Sequence, residues 1–561
     1  MQTQTGWQLL RAGEPYFVRG AGGDASFELL AAAGGNSVRT WSVDDAGEVL
    51  DRAHAHGLTV TLGIWLGHER HGFDYADPAQ RAAQLQRVRE AVIRYRDHPA
   101  LLIWALGNEM EGFGDGDDPQ IWAHVNEAAQ LVKQLDPHHP TMTVTAEIGG
   151  DRIRYVHDES DAIDIHGINA YGGAASLPKR LQAAGATKPY IITEFGPPGP
   201  WEVAKSEWGA PYELTSTEKA AAYRQTYERA IVGNRAQALG SYAFLWGSKV
   251  EGTPTWFGLF LRTGERLAAI DALHELWSGA QPKQPAPTIS PIEIEAGVAH
   301  NPGEAFVARL STDAGAAAVT TWHLLPESND YATGGDFRVT PVAVEDAVFD
   351  TTVTSARIVM PEQPGAYRLF ATLRDQHGAA ATANVPLLVR GEVGTRFPVY
   401  VYHDGFAGMR WAPSGWMGNI EALSLIDNDT TNPFRGEHAI RMRYTAQSGW
   451  AAIAWQHPAN DWGDQQGGFD LTGASRIELW ARGEYGGELI EWGIGLLGDD
   501  AAYPDSVNRR HKPVRLTSDW QRYEIPLRGK DLTTIKTPFV ITVTGRSTPV
   551  TVYLDNIRFV R

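Results

Sequence analysis

The chain has 561 residues, 43% hydrophobic and 21% charged, which is the composition of a folded protein too long for one core; two to four domains are expected. With 49 basic against 67 acidic residues the net charge is −18, the wrong sign for a phosphate binder, and no apolar run approaches the ~18 residues of a membrane helix, so neither nucleic acid nor membrane is expected as a partner. The absence of cysteine excludes disulfides, thiolate chemistry and cysteine metal sites, while 19 tryptophans lean weakly towards carbohydrate, because indole faces cover sugar C–H faces as readily as they fill cores.

Residues 1–280 alternate short apolar runs with amphipathic stretches. Strand candidates are Tyr16–Gly20, Asn36–Trp41, Leu58–Ile64, Leu101–Leu106, Thr141–Ala146, Ile163–Ile168, Tyr190–Glu194 and Ser241–Trp246, with helical patterns between them at 46–56, 78–96, 121–135, 217–232 and 267–277. Eight strand-and-helix units predict a (β/α)8 barrel; the competing doubly wound sheet lacks its glycine-rich loop after the first strand. Three prolines in 279–288 read as a stiff linker. Period-2 runs across 288–392 predict an immunoglobulin-like β-sandwich, and 397–561, rich in Gly and Trp, predicts an all-β jelly roll. The Met1–Thr5 opening has no basic start and no apolar stretch, so no signal peptide is read there. The acidic balance and missing cysteines suit a periplasmic or secreted protein, with a cytoplasmic one as the alternative. Oligomeric state leaves no mark on the sequence.

In a β/α barrel the reactive groups stand where strands end. The strand ends deliver Arg39 and Trp41, then Trp65, then Trp104-Ala-Leu-Gly-Asn108-Glu109, Glu147, His166 with Asn169 and Tyr171, Glu194, and Trp246. Glu109 and Glu194 close apolar strands on opposite sides of the barrel. Two carboxylates facing across a cleft suit glycosidic cleavage, one protonated to serve the departing oxygen and the other ionised to meet charge at the anomeric carbon. Arg39 is the cation expected to keep Glu194 ionised, and Glu109 the acid with the raised pKa. Each residue alone also has a structural reading: Arg39 as an ion-pair partner, Trp104 and Trp277 as core, either glutamate as a capped loop residue. Their joint placement favours catalysis. Trp41, Trp65, Trp201, Trp208 and Trp256 fall in loops above the rim as sugar-stacking candidates. Glu111 and Glu147 are helpers at most. His68, Glu69 and His71 share a loop but lack a third ligand at a firm spacing for zinc.

Trp-Ala-Leu-Gly-Asn-Glu (104–109) and Ile-Ile-Thr-Glu-Phe-Gly (191–196) resemble the fourth- and seventh-strand signatures of the clan A retaining glycoside hydrolases. Asn36-Ser-Val-Arg-Thr-Trp41 resembles the clan's second strand and Leu245-Trp246 its eighth. The family 2 barrel is the nearest in flavour, followed by families 5 and 72. The resemblance implies Glu109 as acid/base, Glu194 as nucleophile, Asn108 on the sugar 2-hydroxyl, Tyr171 orienting the nucleophile, Trp246 flooring the subsite and no catalytic cofactor. His166 would position rim carboxylates. The expected activity is retaining cleavage of β-glucan or β-gluco-oligosaccharides. Transglycosylation, β-galactoside or β-mannoside cleavage, and a non-catalytic glycan-binding barrel are the alternatives. The closing Tyr553-Leu-Asp555-Asn-Ile-Arg-Phe559 resembles the last strand of galactose-binding-like jelly-roll modules, which implies a carbohydrate-binding module and, through Asp555 with Asp404, a structural calcium.

Overall fold

A computed structural model describes the whole chain except residues 5, 70–71, 113–117, 328–330, 332–341, 392–396, 406–408 and 499. Eight parallel strands, β1 (Val18–Gly22), β2 (Ser37–Arg39), β3 (Thr59–Ile64), β4 (Leu101–Leu106), β5 (Thr141–Ala146), β6 (Ile165–Asn169), β7 (Tyr190–Phe195) and β8 (Ala238–Ala243), close into a barrel in sequence order, with β8 paired to β1. Their runs are apolar because both faces are covered. One cluster, including Leu30, Trp104, Trp122, Val132 and Leu273, packs strands against helices, and a second, with Val18, Met142, Val144, Ile165, Ile191 and Tyr242, fills the interior. Each such side chain fully buried contributes about 1.5–3 kcal/mol.

The helices start where local chemistry says they should. Helices α1 (Phe27–Ala32), α2 (Ala46–Ala55), α3 (Pro78–Tyr95) and α4 (Pro119–Leu135) lie in the first half of the barrel. The last two begin with Asp-Pro: Asp77 accepts from the N–H of Ala79 at 2.8 Å and Asp118 from that of Gln120 at 2.7 Å, while the proline has no N–H to orphan. After α5 (Leu177–Ala183), α6 (Ser216–Thr226) opens with a reciprocal Thr215–Glu218 capping box, and α7 (Ala268–Ser278) ends on left-handed Gly279.

The two β segments follow as expected in kind. A sandwich pairs a sheet built on 319–326, 365–374 and 379–389 with one built on 293–294, 305–309, 348–349 and 355–359. The barrel adds a strand to it, since Arg266–Leu267 pairs in parallel with Ala379–Ala380. The proline-rich stretch is not a free spacer: the Ala286 N–H bonds Asp271 at 2.5 Å and the Ile289 N–H bonds Thr217 at 2.8 Å, which ties it to the barrel. Buried Arg368 bonds Glu327 at 2.9 Å and the Pro211 carbonyl at 2.8 Å, and Asn384 donates to Glu213 at 2.7 Å. The tail is two antiparallel sheets of six strands each around a core that includes Trp411, Trp455 and Trp492. Among the described residues no helix is long and apolar enough to cross a membrane.

Candidate active site

The carboxyl ends of β2, β4, β6 and β7 bring their polar side chains to one place. Pairing between β6 and β7 slips at Ile192/Glu194, so Asn169 stands opposite Glu194 rather than Thr193. A bulge of this kind re-aims side chains. As a result both Thr193 and Glu194 reach the site, Thr193 Oγ1 donating to Asn169 Oδ1 at 2.8 Å.

Glu194 is the best-held carboxylate of the group. Arg39, at the end of β2 and 1% exposed, donates through Nη1 to Glu194 Oε1 at 2.8 Å. Trp41 Nε1 donates to the same oxygen at 2.9 Å, and Tyr171 OH donates to Oε2 at 2.7 Å. Burial, reinforced by the charge of Glu194, pushes the Tyr171 hydroxyl well above its usual range, so it remains a donor. Arg39 Nη2 reaches Asn108 Oδ1 at 2.6 Å, and Asn169 Nδ2 reaches the same oxygen at 3.1 Å and Glu109 Oε1 at 2.8 Å. The side-chain donors of Asn108 are not used by these bonds.

Glu109 has a different environment. It leaves β4 in the left-handed conformation, φ 52°, with its N–H bonded to the Val144 carbonyl at 2.8 Å. An L-residue adopts that geometry uncommonly and at a cost in backbone strain, which the surrounding structure must hold. Burial first, and the charge of Glu194 second, push its carboxyl up to about 8, against the lowering effect of Asn169. Two carboxyl groups thus sit in one cleft, one on three donors and the other driven towards its neutral form, the division that acid–base chemistry requires. The other rim acids are occupied elsewhere. Glu111 pairs with Arg152 at 2.9 Å and takes the Ala146 N–H at 2.6 Å, and Glu147 pairs with Arg180 at 2.6 Å.

The aromatic surroundings differ from expectation. Strand β8 ends at Ala243, three residues short of the sequence reading, and Trp246 is fully buried against the strand–helix layer, with Nε1 donating to the Ser26 carbonyl at 3.1 Å and Phe260 edge-on to its ring. It therefore floors no sugar subsite. Phe244 and Phe257 cluster with Trp41 and Tyr171 instead, the Tyr171–Phe257 centroids lying 5.0 Å apart. Trp41, expected to stack on sugar, acts as a hydrogen-bond donor to Glu194. Trp256 is buried, bonding the Pro198 carbonyl at 2.9 Å. Trp201, 50% exposed, stands edge-on to Tyr171 with centroids 5.8 Å apart. Its loop is pinned by Glu202, which accepts from the N–H groups of Gly172, Gly173 and Gly199 at 2.8, 3.1 and 2.7 Å.

Other expected positions lie away from the two glutamates. Strand alternation turns His166 to the opposite face from Asn169. Its ring bonds Thr145 Oγ1 at 2.8 Å and His157 at 3.0 Å, and burial holds it well below the usual histidine range. Trp65 is on the β3 loop, stacked on His68 at 4.9 Å and beside the tail. His71 lies outside the described residues. In the tail, Asp404 Oδ1 takes the N–H groups of Glu437 and His438, each at 2.7 Å, and Asp555 Oδ2 those of Phe434 and Arg435 at 2.9 and 3.0 Å. Their oxygens suit calcium by type, but calcium takes six to eight of them. Among the described residues no three His, Cys, Asp or Glu side chains group together as metal ligands, and through these bonds the two aspartates hold the 434–438 loop. Sequence reasoning missed Glu251, a buried acid in the loop after β8 that pairs with Lys249 at 2.8 Å and adds to the negative field on Glu109 and Tyr171. It missed Phe244 and Phe257 as well; that loop has no periodicity to betray them.

Residues 24–199 match the model of the TIM-barrel domain of glycosyl hydrolases family 2, and residues 399–561 match carbohydrate binding domain 30. Over 146 residues the chain is 27% identical to a probable mannan endo-1,4-beta-mannosidase C of Aspergillus terreus, covering 21% of this chain and 36% of that protein. Over 293 residues it is 24% identical to a beta-glucuronidase of Paenibacillus borealis, covering 46% of this chain and 47% of the relative. The matches thus span less than half the length of those two proteins. A solved beta-D-glucuronidase structure from Dictyoglomus thermophilum aligns with 50% of this chain and 53% of its own at 17% identity and a TM-score of 0.40. The chain thus resembles a family 2 glycosyl hydrolase barrel domain over one segment and a carbohydrate binding domain over another.

Proposed function

We propose that this chain cleaves β-glycosidic bonds with retention of configuration, by double displacement at Glu109 and Glu194. The observation that carries the proposal is the pairing itself: one carboxylate on three donors from Arg39, Trp41 and Tyr171, the other pushed up to about 8 beside it. In the first step Glu194 attacks the anomeric carbon while Glu109 gives its proton to the departing glycosidic oxygen, leaving the sugar esterified to Glu194. In the second, Glu109 takes a proton from water, the water oxygen attacks the anomeric carbon and the ester bond to Glu194 breaks. Arg39, Trp41 and Tyr171 fix the nucleophile, so little reorganisation accompanies charge movement. Asn108, oriented by Arg39 and Asn169, offers its amide donors to the sugar.

The substrate we favour is a β-glucan or β-gluco-oligosaccharide, on the strength of the carbohydrate-binding tail and the aromatic cluster at the mouth. A β-mannan chain is the second reading, because mannan endo-1,4-beta-mannosidases stand among the relatives. The test is mass-spectrometric product analysis with β-1,4-linked gluco-, manno- and galacto-oligosaccharides, with Glu194→Gln in parallel. Shortened products from wild type alone support hydrolysis, and products longer than the starting sugar make it a transglycosidase. An unchanged panel counts against catalysis.

A further inference from the structure

A cavity of about 450 Å³ lies outside the catalytic mouth, between the loop after β3 and the tail domain. Trp65, Phe73 and Gln80 line it from the barrel; Asn419, Ile420 and Glu421 line it from the tail. We infer that the two domains together build a sugar subsite here, one that holds a neutral pyranose unit of the glycan chain whose cleavage is proposed above. The inference rests on that reading for the identity of the chain, but its test reads binding alone.

Four observations support it. The volume lies within the range of about 300–1,000 Å³ found for small-molecule sites. The contact between domains is not sealed: Arg87 and Glu421 form a two-pronged bond, 2.8 Å on each side, but both are about half exposed, and such pairs contribute about 0–1 kcal/mol. Trp65 is a rigid platform, because one indole face is backed by the His68 ring, 4.9 Å away and tilted by 10°, while the residue stays 36% exposed. A flat apolar face beside amide side chains matches a pyranose, apolar on its C–H face and polar around its edge. The lining charges of Arg87 and Glu421 satisfy one another, which favours a neutral ligand.

Position completes the argument. Trp65 directly follows the last residue of β3, and the Gly107 N–H bonds the Ile64 carbonyl at 3.0 Å, so Asn108 and Glu109 rise from the adjacent strand. The cavity therefore flanks the acid's side of the mouth, and a glycan passing Glu109 on that side runs towards it.

The experiment is calorimetric titration of full-length Glu194→Gln protein with β-1,4-linked gluco- and manno-hexaose and with the corresponding disaccharides. A second substitution is then added, Trp65→Ala from the barrel or Asn419→Ala and Ile420→Ala from the tail. The expected result is a fall of about tenfold in the ratio of hexaose to disaccharide affinity, about 1.4 kcal/mol, for variants on both sides. An unchanged ratio in all variants overturns the inference, as does an effect of Trp65→Ala alone, which would leave the tail outside the site. Absence of hexaose binding overturns it too. If Trp65→Ala fails to fold, the two tail variants decide. Turnover by wild-type protein is measured separately, so a failure of the catalytic reading shows there and not in these ratios.

Discussion

Ionisation of Glu109 should set the alkaline limb of activity. Its carboxyl, pushed up to about 8, must hold a proton to assist a poor leaving group, so kcat/KM for an unactivated β-glycoside should fall tenfold per unit above that pH. The share due to Glu194 is separable. At the spacing of about 5 Å that a retaining pair adopts, and an effective dielectric of about 20, their repulsion is about 3 kcal/mol, equivalent to about two pKa units before screening at the open mouth. Glu194→Gln should therefore lower the Glu109 pKa by one to two units, while burial keeps it above an ordinary glutamate. The assay pairs a pH–rate profile of wild type with carbon-13 NMR titration of the Glu109 carboxyl in the Glu194→Gln chain. With an activated dinitrophenyl leaving group the alkaline limb should weaken, because the first step no longer needs the acid. A limb that persists unchanged in Glu109→Gln, or a carboxyl indifferent to Glu194→Gln, would refute the assignment.

Glu109→Ala should keep its first step on activated aryl glycosides and regain turnover with azide, which replaces water without base assistance; a stereochemical check should find the β-glycosyl azide. Tyr171→Phe removes the 2.7 Å bond to Glu194 and should cost about 2 kcal/mol of transition-state stabilisation, roughly a thirtyfold loss in kcat/KM, with little change in thermal midpoint. Stability carries the mark of Glu109 as well. Its folded pKa lies above its unfolded value, so between about 4.5 and 8 the native state binds the extra proton and stability falls as pH rises through that window. Glu109→Gln should thus raise the thermal midpoint over wild type at pH 8 and lose that advantage by pH 5, measured by calorimetry.

Much of the barrel was legible because several strands, β4 and β7 above all, are short apolar runs with a polar group at or just beyond the end. Strands β4 and β5 occupy the very residues read from sequence, and the strand-end rule gathered Arg39, Asn108, Glu109, Asn169, Tyr171 and Glu194, which the structure joins in one hydrogen-bonded group. The failures have physical causes. Strand β8 begins with small Ala238-Leu-Gly and is followed by the apolar Phe244-Leu-Trp, so the hydrophobic run overshot the strand and put Trp246 at a mouth it never reaches. His166 was misplaced because its parity along β6 was not counted. Trp41 was read for its ring when the ring nitrogen matters. The bulge at Glu194 and the cavity beside Trp65 depend on pairings between distant segments, which no local pattern encodes.

The central claim, that Glu194 forms a covalent bond to the sugar, is tested most directly by trapping. Wild-type protein incubated with 2-deoxy-2-fluoro-β-glucosyl and β-mannosyl fluorides, then digested and sequenced by mass spectrometry, should carry one fluorosugar on the peptide containing Ile191–Phe195, at Glu194. Label on another carboxylate, or an unlabelled protein that still cleaves the parent glycoside, would contradict the account.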